Sequence, residues 1–513
     1  MKKIFVIMIC AVMCASCMDN LLDQKTLDQL SPDSFYTNET EVRMGLMGIY
    51  SSFVDEWHQY DFMSDNCYCH HSWQGSLEFS EWKQNSSSSR ALSKWRIAYR
   101  TIGRVNKFLD NVEKAPIDET VKNTMKGEAR MIRGYFYADL VHFYGDVPLV
   151  LKELSLDEAK VSRTPKAEVL KAAEEDFDFA ITHLQVSAPE TGRATKGAAQ
   201  AFKARMYLYN KEWSKAASLC KDIIDSEVYQ LYPDYGAVFE ESNENNVEVI
   251  FDIQYIKNVR VQPWPTTGTS FTEWPTAGIT LSAIDAFNMK STGKPITDQT
   301  SGYDEQNPFN NRDPRMGATY VLPNSPFIGG APYIPAAQDG ELQTCFRPRK
   351  YADIDNADRG NCAVNLILMR YADVLLMRAE ALIEMGQITD EVYDLINEVR
   401  QRPSVMMPKI EQAEGQNLNQ NQLREIVRHE RHVEFGMEFT RYSDMRRWEL
   451  ESAIKDVWGF NKAKLTDPSS ANTWSFERIK LASRSFDPKK GWLWPIPLEE
   501  IQNNGNLTQN PGY

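Results

Sequence analysis

The chain has 513 residues, 42% hydrophobic and 25% charged, with a formal net charge of −14. That length supports a large buried core. The acidic balance argues against non-specific nucleic-acid binding, which needs a basic face, and it excludes less for a polyanionic ligand, because a local basic pocket overrides net charge.

The N-terminus reads as a targeting segment. Lys2 and Lys3 precede an apolar run from Ile4 to Ala15, the length of a signal h-region and too short to span a bilayer. The run ends in "CASC", Cys14 to Cys17. Small residues directly before a cysteine resemble a bacterial lipobox. On that reading residues 1–16 are a signal peptide and Cys17 becomes a diacylated N-terminus; ordinary signal cleavage beside a chance cysteine is the plainer alternative. No later apolar run approaches 18 residues, so the expected attachment is by lipid and not by a span. Cys67, Cys69, Cys220, Cys345 and Cys362 then remain, an odd and sparse set unlike a disulfide framework. Pairing of Cys345 with Cys362 stays open.

From about residue 40 to 255 the pattern is mainly helical. Near its start lies "NCYCHHSW", Asn66 to Trp73, with two cysteines and two histidines in five residues. So tight a cluster is poor for tetrahedral zinc, whose ligands come as two separated pairs, and Cys67 and Cys69 are badly spaced for a relaxed disulfide. No metal is expected here. Trp73 and Trp82 follow, bounded by a serine-rich run. The block "EARMIRGYFYADLVHFYGDVP" places Ile132, Phe136, Leu140 and Phe143 at helical spacing, with Gly145 and Pro148 ending the helix. A helix over 198–209, a turn at 210–213 and a helix over 214–225 capped by Ser214 form an antiparallel pair with small packing residues, like a tetratricopeptide repeat.

Between residues 256 and 362 the helical period disappears. Eleven of the 24 prolines lie there, which forbids long helices and favours loops with short edge strands. Trp264, Trp274 and Tyr303 sit in this insert. A tryptophan on a loop either packs beneath it as a local core or presents a flat face to the apolar side of a sugar ring. Arg347, Arg349, Lys350 and Arg359 are candidates for a local basic pocket. From about 365 to 450 the helical period returns; "YADVLLMRAEALIEMGQITDEVYDLINEVRQR" repeats the paired design, broken at Gly386. "RHERHVEF", Arg428 to Phe435, has His429 and His432 three apart where the zincin motif needs four, and reads as an ion-paired helix face. A tail of 451–513 completes the chain. No Gly-rich phosphate loop and no G-x-S-x-G occur.

The ordered set of blocks resembles the SusD/RagB-like outer-membrane glycan-binding lipoproteins of Bacteroidetes, nearly end to end. The blocks are the lipobox at Cys17, "SPDSFYTNETEVRMGLMGIYSSF", "WRIAYRTIGRVNKFLD", "GEARMIRGYFYADLVHFYGDVPLV", "NNRDPRMGATY", "LMRYADVLLMRAEALIEMG", "IVRHERHVEFGMEFTRYSDMRRW" and "WLWPIPLEEIQNNGNLTQNPGY". The resemblance implies a mainly α fold of tetratricopeptide-like helical pairs against a loop-rich region with short strands, in a single unit over 17–513. It implies an oligosaccharide binder and not an enzyme, without cofactor or metal, anchored in the outer membrane by lipid on Cys17 and facing the cell exterior. Its expected partner is a SusC-like TonB-dependent transporter. By location, the glycan surface would fall on Asp65, Trp73, Trp82, Trp264, Trp274 and the neighbouring Tyr303, with Tyr68, His70 and His71 as sugar contacts or loop packing. Glu430, Arg431, Glu434 and Arg441 would be structural ion-pair positions. Two other readings remain: a glycan hydrolase or metalloenzyme using Cys67–His71, and a repeat scaffold that binds only proteins.

Overall fold

The computed structural model of the chain describes residues 35–52, 58–72, 75–262, 277–339, 344–352, 361–466 and 474–513. Its frame is a run of helices, each packed on the next. α1 (Glu39–Ser52) lies on α2 (Ser89–Val112), α2 on α3 (Glu119–Tyr144), and α3 on α4 (Lys166–His183). α4 meets α5 (Lys196–Tyr209) and α5 meets α6 (Trp213–Asp225). The series resumes far along the chain: α6 packs on α7 (Tyr371–Glu384), which meets α8 (Asp390–Arg400) and α9 (Gln420–Glu434). The short α10 (Arg441–Arg447) follows. The fold is thus mainly α, with helical pairs of the tetratricopeptide kind.

Local chemistry sets the ends. Asp118 caps α3 by accepting from the N–H groups of Thr120 and Val121. α3 stops at Gly145, where φ is 75°, a left-handed conformation that glycine adopts without strain. Thr195 caps α5 through the Ala198 N–H. α6 begins at Trp213, one residue ahead of the expected Ser214 cap, and Glu212 at its cap position makes no side-chain cap bond. Close helix contact has a visible cause at Gly134: a Cβ there would lie 3.1 Å from the Ala173 carbonyl of α4.

The "WRIAYRTIGRVNKFLD" block is a clamp. Tyr99 donates to the Pro148 carbonyl at 2.8 Å, and Asn106 donates to Val150 and Lys152 carbonyls at 2.9 and 3.2 Å. Arg133 of α3 donates to the Asn106 side-chain oxygen at 2.7 Å and to Asp176 of α4. Three elements are fastened to the extended stretch after Gly145.

Strands occur as two-stranded antiparallel ribbons. β1 (Cys67–Cys69) pairs with β3 (Ala277–Ile279), and β2 (Val249–Ile253) with β6 (Leu366–Arg370). β4 (Tyr320–Val321) pairs with β5 (Arg347–Pro348), and β7 (Val457–Phe460) with β8 (Arg478–Ala482). The β2–β6 ribbon closes off residues 254–365 and returns the chain so that α7 meets α6. α7 needs this: every residue from Tyr371 to Ile383 is buried, beyond what an amphipathic helix on one partner would cover.

The junction carries a buried ion network. Glu434 accepts from Arg315 at 2.8 Å, Arg370 at 2.8 Å and Arg402 at 3.0 Å. Glu430 accepts from Arg315 and Arg400, Glu248 from Arg370 and Arg402, and Glu438 from Arg370 and Lys350. Glu430 and Glu434 share one face of α9 by their spacing of four. Arg431 bonds Asp373 and Asp444. The "RHERHVEF" helix is therefore an electrostatic hinge-pin between insert and repeats. Replacing a whole buried network by apolar groups is often neutral, whereas removing one partner leaves an uncompensated charge and is strongly destabilising. Two of the four residues of the expected basic pocket are committed elsewhere: Arg347 is buried beside Asp339 and Lys350 beside Glu438; Arg349 is half-buried and donates to the Pro326 carbonyl, while Arg359 lies outside the described residues.

Candidate functional site

β1 and β3 are the elements that bring distant sequence together. Their register pairs Cys67 with Ile279, Tyr68 with Gly278 and Cys69 with Ala277. The pairing is antiparallel, so the chain leaving Cys69 and the chain arriving at Ala277 share one end of the ribbon. Trp73 lies four residues beyond the first point and Trp274 three residues before the second. Trp73, Trp264, Trp274 and Cys17 themselves fall outside the described residues.

The ribbon alternates as strand geometry requires. Cys67 and Cys69 point inward to a second apolar cluster with Phe62, Ile279, Phe287, Tyr320, Phe346 and Phe460. Burial pushes the Cys67 thiol well up, and the Cys69 thiol up to about 11. Tyr68 points the other way, half-buried, and donates to Glu81 at 3.1 Å. His70 and His71 are half-buried with ring centroids 3.9 Å apart. Among the described residues no group of three or more His, Cys, Asp or Glu is arranged to hold a metal ion. Cys345 belongs to this second cluster and donates to the Phe460 carbonyl at 3.2 Å, while Cys362 belongs to the main core; both are thiols.

A polar base holds the ribbon from below. Asp65 is 6% exposed, and Arg441 bonds both of its carboxylate oxygens, at 2.8 and 2.7 Å. Burial alone would raise the Asp65 pKa, but the Arg441 charge and hydrogen bonds outweigh it and hold the carboxyl well below the usual range. Thr280 donates to the Asp65 carbonyl at 2.5 Å and its N–H to the Asn66 carbonyl at 2.9 Å. Arg484 donates to the Cys67 carbonyl. His432 lies 2.6 Å from the Asn66 side-chain oxygen; burial, then the Arg441 charge, pushes its pKa down to about 3, so the ring is neutral. Asp61 accepts from the Phe439 N–H at 2.8 Å, and burial lifts its carboxyl to about 7.

The structure places Trp82 inside as well. It is 4% exposed, with φ 62°, and its ring lies 5.5 Å from Tyr442, 5.3 Å from Trp492 and 6.0 Å from Phe486. As placed, Asp65 and Trp82 support the loop and do not face solvent. The sequence signals were ambiguous, because their partners Arg441, Tyr442 and Trp492 are hundreds of residues away. Tyr303 is half-buried, with the Arg312 guanidinium 5.6 Å from its ring. Arg478 lies beside both Tyr303 and Asp285 of the helix Leu281–Asp285, which leaves β3 at the Ile279 end, opposite to the Cys69–Ala277 pair. Arg484 was not legible as part of the site: nothing in its local sequence distinguishes it.

Comparison with known proteins fits this geometry. The model of the SusD family matches residues 247–513, more than half of the chain. The chain belongs to the SusD family. A second family model, described as "Starch-binding associating with outer membrane", matches residues 21–208. The SusD-like protein P25 of Formosa agariphila is 26% identical over 98% of this chain and 97% of its own length. The starch-binding protein SusD of Bacteroides thetaiotaomicron is 23% identical over 87% of this chain and 83% of its own. A solved SusD-like carbohydrate binding protein from Bacteroides fragilis, 28% identical, superposes with a TM-score of 0.83 over 93% of this chain and 100% of that one. No helix among the described residues is long and apolar enough to cross a membrane.

Proposed function

We propose that this SusD-family protein is a surface lipoprotein that captures oligosaccharides and hands them to a SusC-like TonB-dependent transporter, by binding and without catalysis. The observation that supports the reading is the β1–β3 register, which pairs Cys69, four residues before Trp73, with Ala277, three residues after Trp274, in a ribbon clamped by Arg441 and Arg484. Membership in a family that includes a starch-binding protein and a carbohydrate-binding one supports it.

On this reading Trp73, Trp264 and Trp274 offer stacking faces, and Tyr68, His70 and His71 offer hydrogen-bonding edges. Asp65 and Trp82 act through the loop they hold, and Tyr303, near the other end of the ribbon, offers a separate aromatic contact on the insert. Aromatic area gives modest affinity, and placed polar groups give selectivity. The acidic net charge favours a neutral glycan. Lipid on Cys17 would hold the protein at the outer membrane, raising its effective concentration at the transporter mouth.

The test is affinity electrophoresis and calorimetry against a panel of neutral polysaccharides and their oligosaccharides. Binding by the wild type, weakened about tenfold or more in Trp73→Ala and Trp264→Ala, supports the reading. Glycan turnover, or a complete lack of glycan binding, would overturn it.

A further inference from the structure

A second cavity lies apart from the ribbon, inside the helical frame. It is bounded by α3, by α5, by residues 438–440 that lead into α10, and by Ser443 of α10. Its volume is about 80 Å³. One water needs roughly 10–15 Å³ on the same measure, so the space holds several waters or one small ring, and no chain of sugars.

The charges in its wall are already met. Asp139 pairs with Lys94, Arg205 with Asp373 at 2.6 Å, and Glu438 with Lys350 and Arg370. A charged ligand would find no counter-charge to spare. Individual hydrogen-bonding atoms are left over instead. His142 Nε2 and Thr440 Oγ1 are shielded from solvent with no hydrogen-bond partner, and so is Arg205 Nε. Thr440 is only 9% exposed. A buried polar atom without a partner is costly, about 1–3 kcal/mol, so three around one cavity mark a place for a ligand with several hydroxyls. His142 contributes as a neutral ring: burial, then the charges of Arg446, Lys94 and Arg447, hold its pKa well down.

The remaining walls are flat and apolar. Tyr209 lies 4.8 Å from the His142 ring, and Tyr135 stands edge-on to Phe202 at 5.2 Å. Aromatic faces beside neutral donors and acceptors suit a molecule with an apolar ring face and a polar rim.

We propose that this cavity binds a single neutral, polyhydroxylated ring, a monosaccharide or the terminal unit of a glycan, at a site separate from the β1–β3 surface. His142 and Thr440 bond its hydroxyls, and Tyr209 covers its apolar face. The proposal stands independently of the ribbon site, because it shares none of that surface's aromatics.

The experiment uses the mature chain carrying Trp73→Ala, Trp264→Ala and Trp274→Ala, which removes the first site. Saturation-transfer NMR and calorimetry are run with D-glucose, D-galactose and D-mannose, and with D-glucuronate as the charged control. At least one neutral hexose is expected to bind one to one, with glucuronate weaker. His142→Phe and Thr440→Val should each weaken binding about tenfold; thermal melts report whether either variant has unfolded, and the second changes shape little. Three results overturn the proposal: none of the hexoses binds, glucuronate binds better than they do, or binding survives both substitutions. Loss of ribbon-site binding alone would leave these outcomes unchanged, so the two claims fail separately.

Discussion

Replacing Arg441 with leucine removes the only cation that bonds Asp65 among the described residues. Both Asp65 oxygens lose their donors, at 2.8 and 2.7 Å, and the two side chains are only 8% and 7% exposed, so water cannot fully replace them. Breaking a buried pair on one side costs about 3–5 kcal/mol. With an unfolding entropy of about 2.1 cal/mol/K per residue, a chain of 513 residues shifts by about 1 °C per kcal/mol. The melting temperature should therefore fall by about 3–5 °C at pH 7 in scanning calorimetry.

The sign of its pH dependence is informative. The Asp65 pKa in the folded protein lies below its unfolded value of about 3.9. The pair thus adds stability above that value and loses it as pH falls through the folded pKa. In Arg441→Leu, burial acts with only the smaller influences of His432 and Arg484 to offset it, the Asp65 pKa rises, and the gap from wild type narrows between pH 7 and pH 4.5. Adding Asp65→Asn should recover part of the loss, because the unpaired charge goes. A deficit equal at both pH values and untouched by Asp65→Asn would refute the charge argument and leave lost packing in its place.

Other consequences are as direct. Glu434→Gln removes the charge that three buried arginines share, and should destabilise by about 3–5 kcal/mol in denaturant titration, more than Glu425→Gln on the exposed face of the same helix. Asp61, with its carboxyl lifted to about 7, binds protons more tightly folded than unfolded, so its contribution weakens as pH rises from 4 through 7. Asp61→Asn should then gain on wild type in melts at pH 8 relative to pH 5. Cys67 and Cys69, buried with raised thiol pKa values, should react with a thiol reagent only upon unfolding; rapid modification of native protein would contradict their placement.

Much of the fold is legible in the sequence because helices are local. The α3 stripe of Ile132, Phe136, Leu140 and Phe143, the stop at Gly145 and the break at Gly386, where φ is 72°, follow from spacing and glycine alone. Proline density marks the irregular insert for the same reason. What spacing cannot give is pairing across the chain. Nothing near Cys67 says that its strand partner is Ile279, and nothing near Asp225 says that α6 rests on α7. The candidate site depends most on such pairings. Trp82 beside a serine-rich run reads equally as a local core or as a stacking face, and Tyr442, Phe486 and Trp492 close around it. Asp65 reads as a sugar ligand, yet it faces Arg441. The crowded "CYCHH" resolves through strand alternation, which turns both cysteines inward and Tyr68 outward.

The account's central claim is that two aromatic segments, joined by the β1–β3 ribbon, form one glycan surface. It is tested most directly by calorimetry of the best-binding oligosaccharide against Trp73→Ala, Trp274→Ala and the double variant. One shared surface predicts that each single variant weakens binding and that the double variant departs from additivity. Undiminished binding in both single variants, with normal melting temperatures, would contradict it.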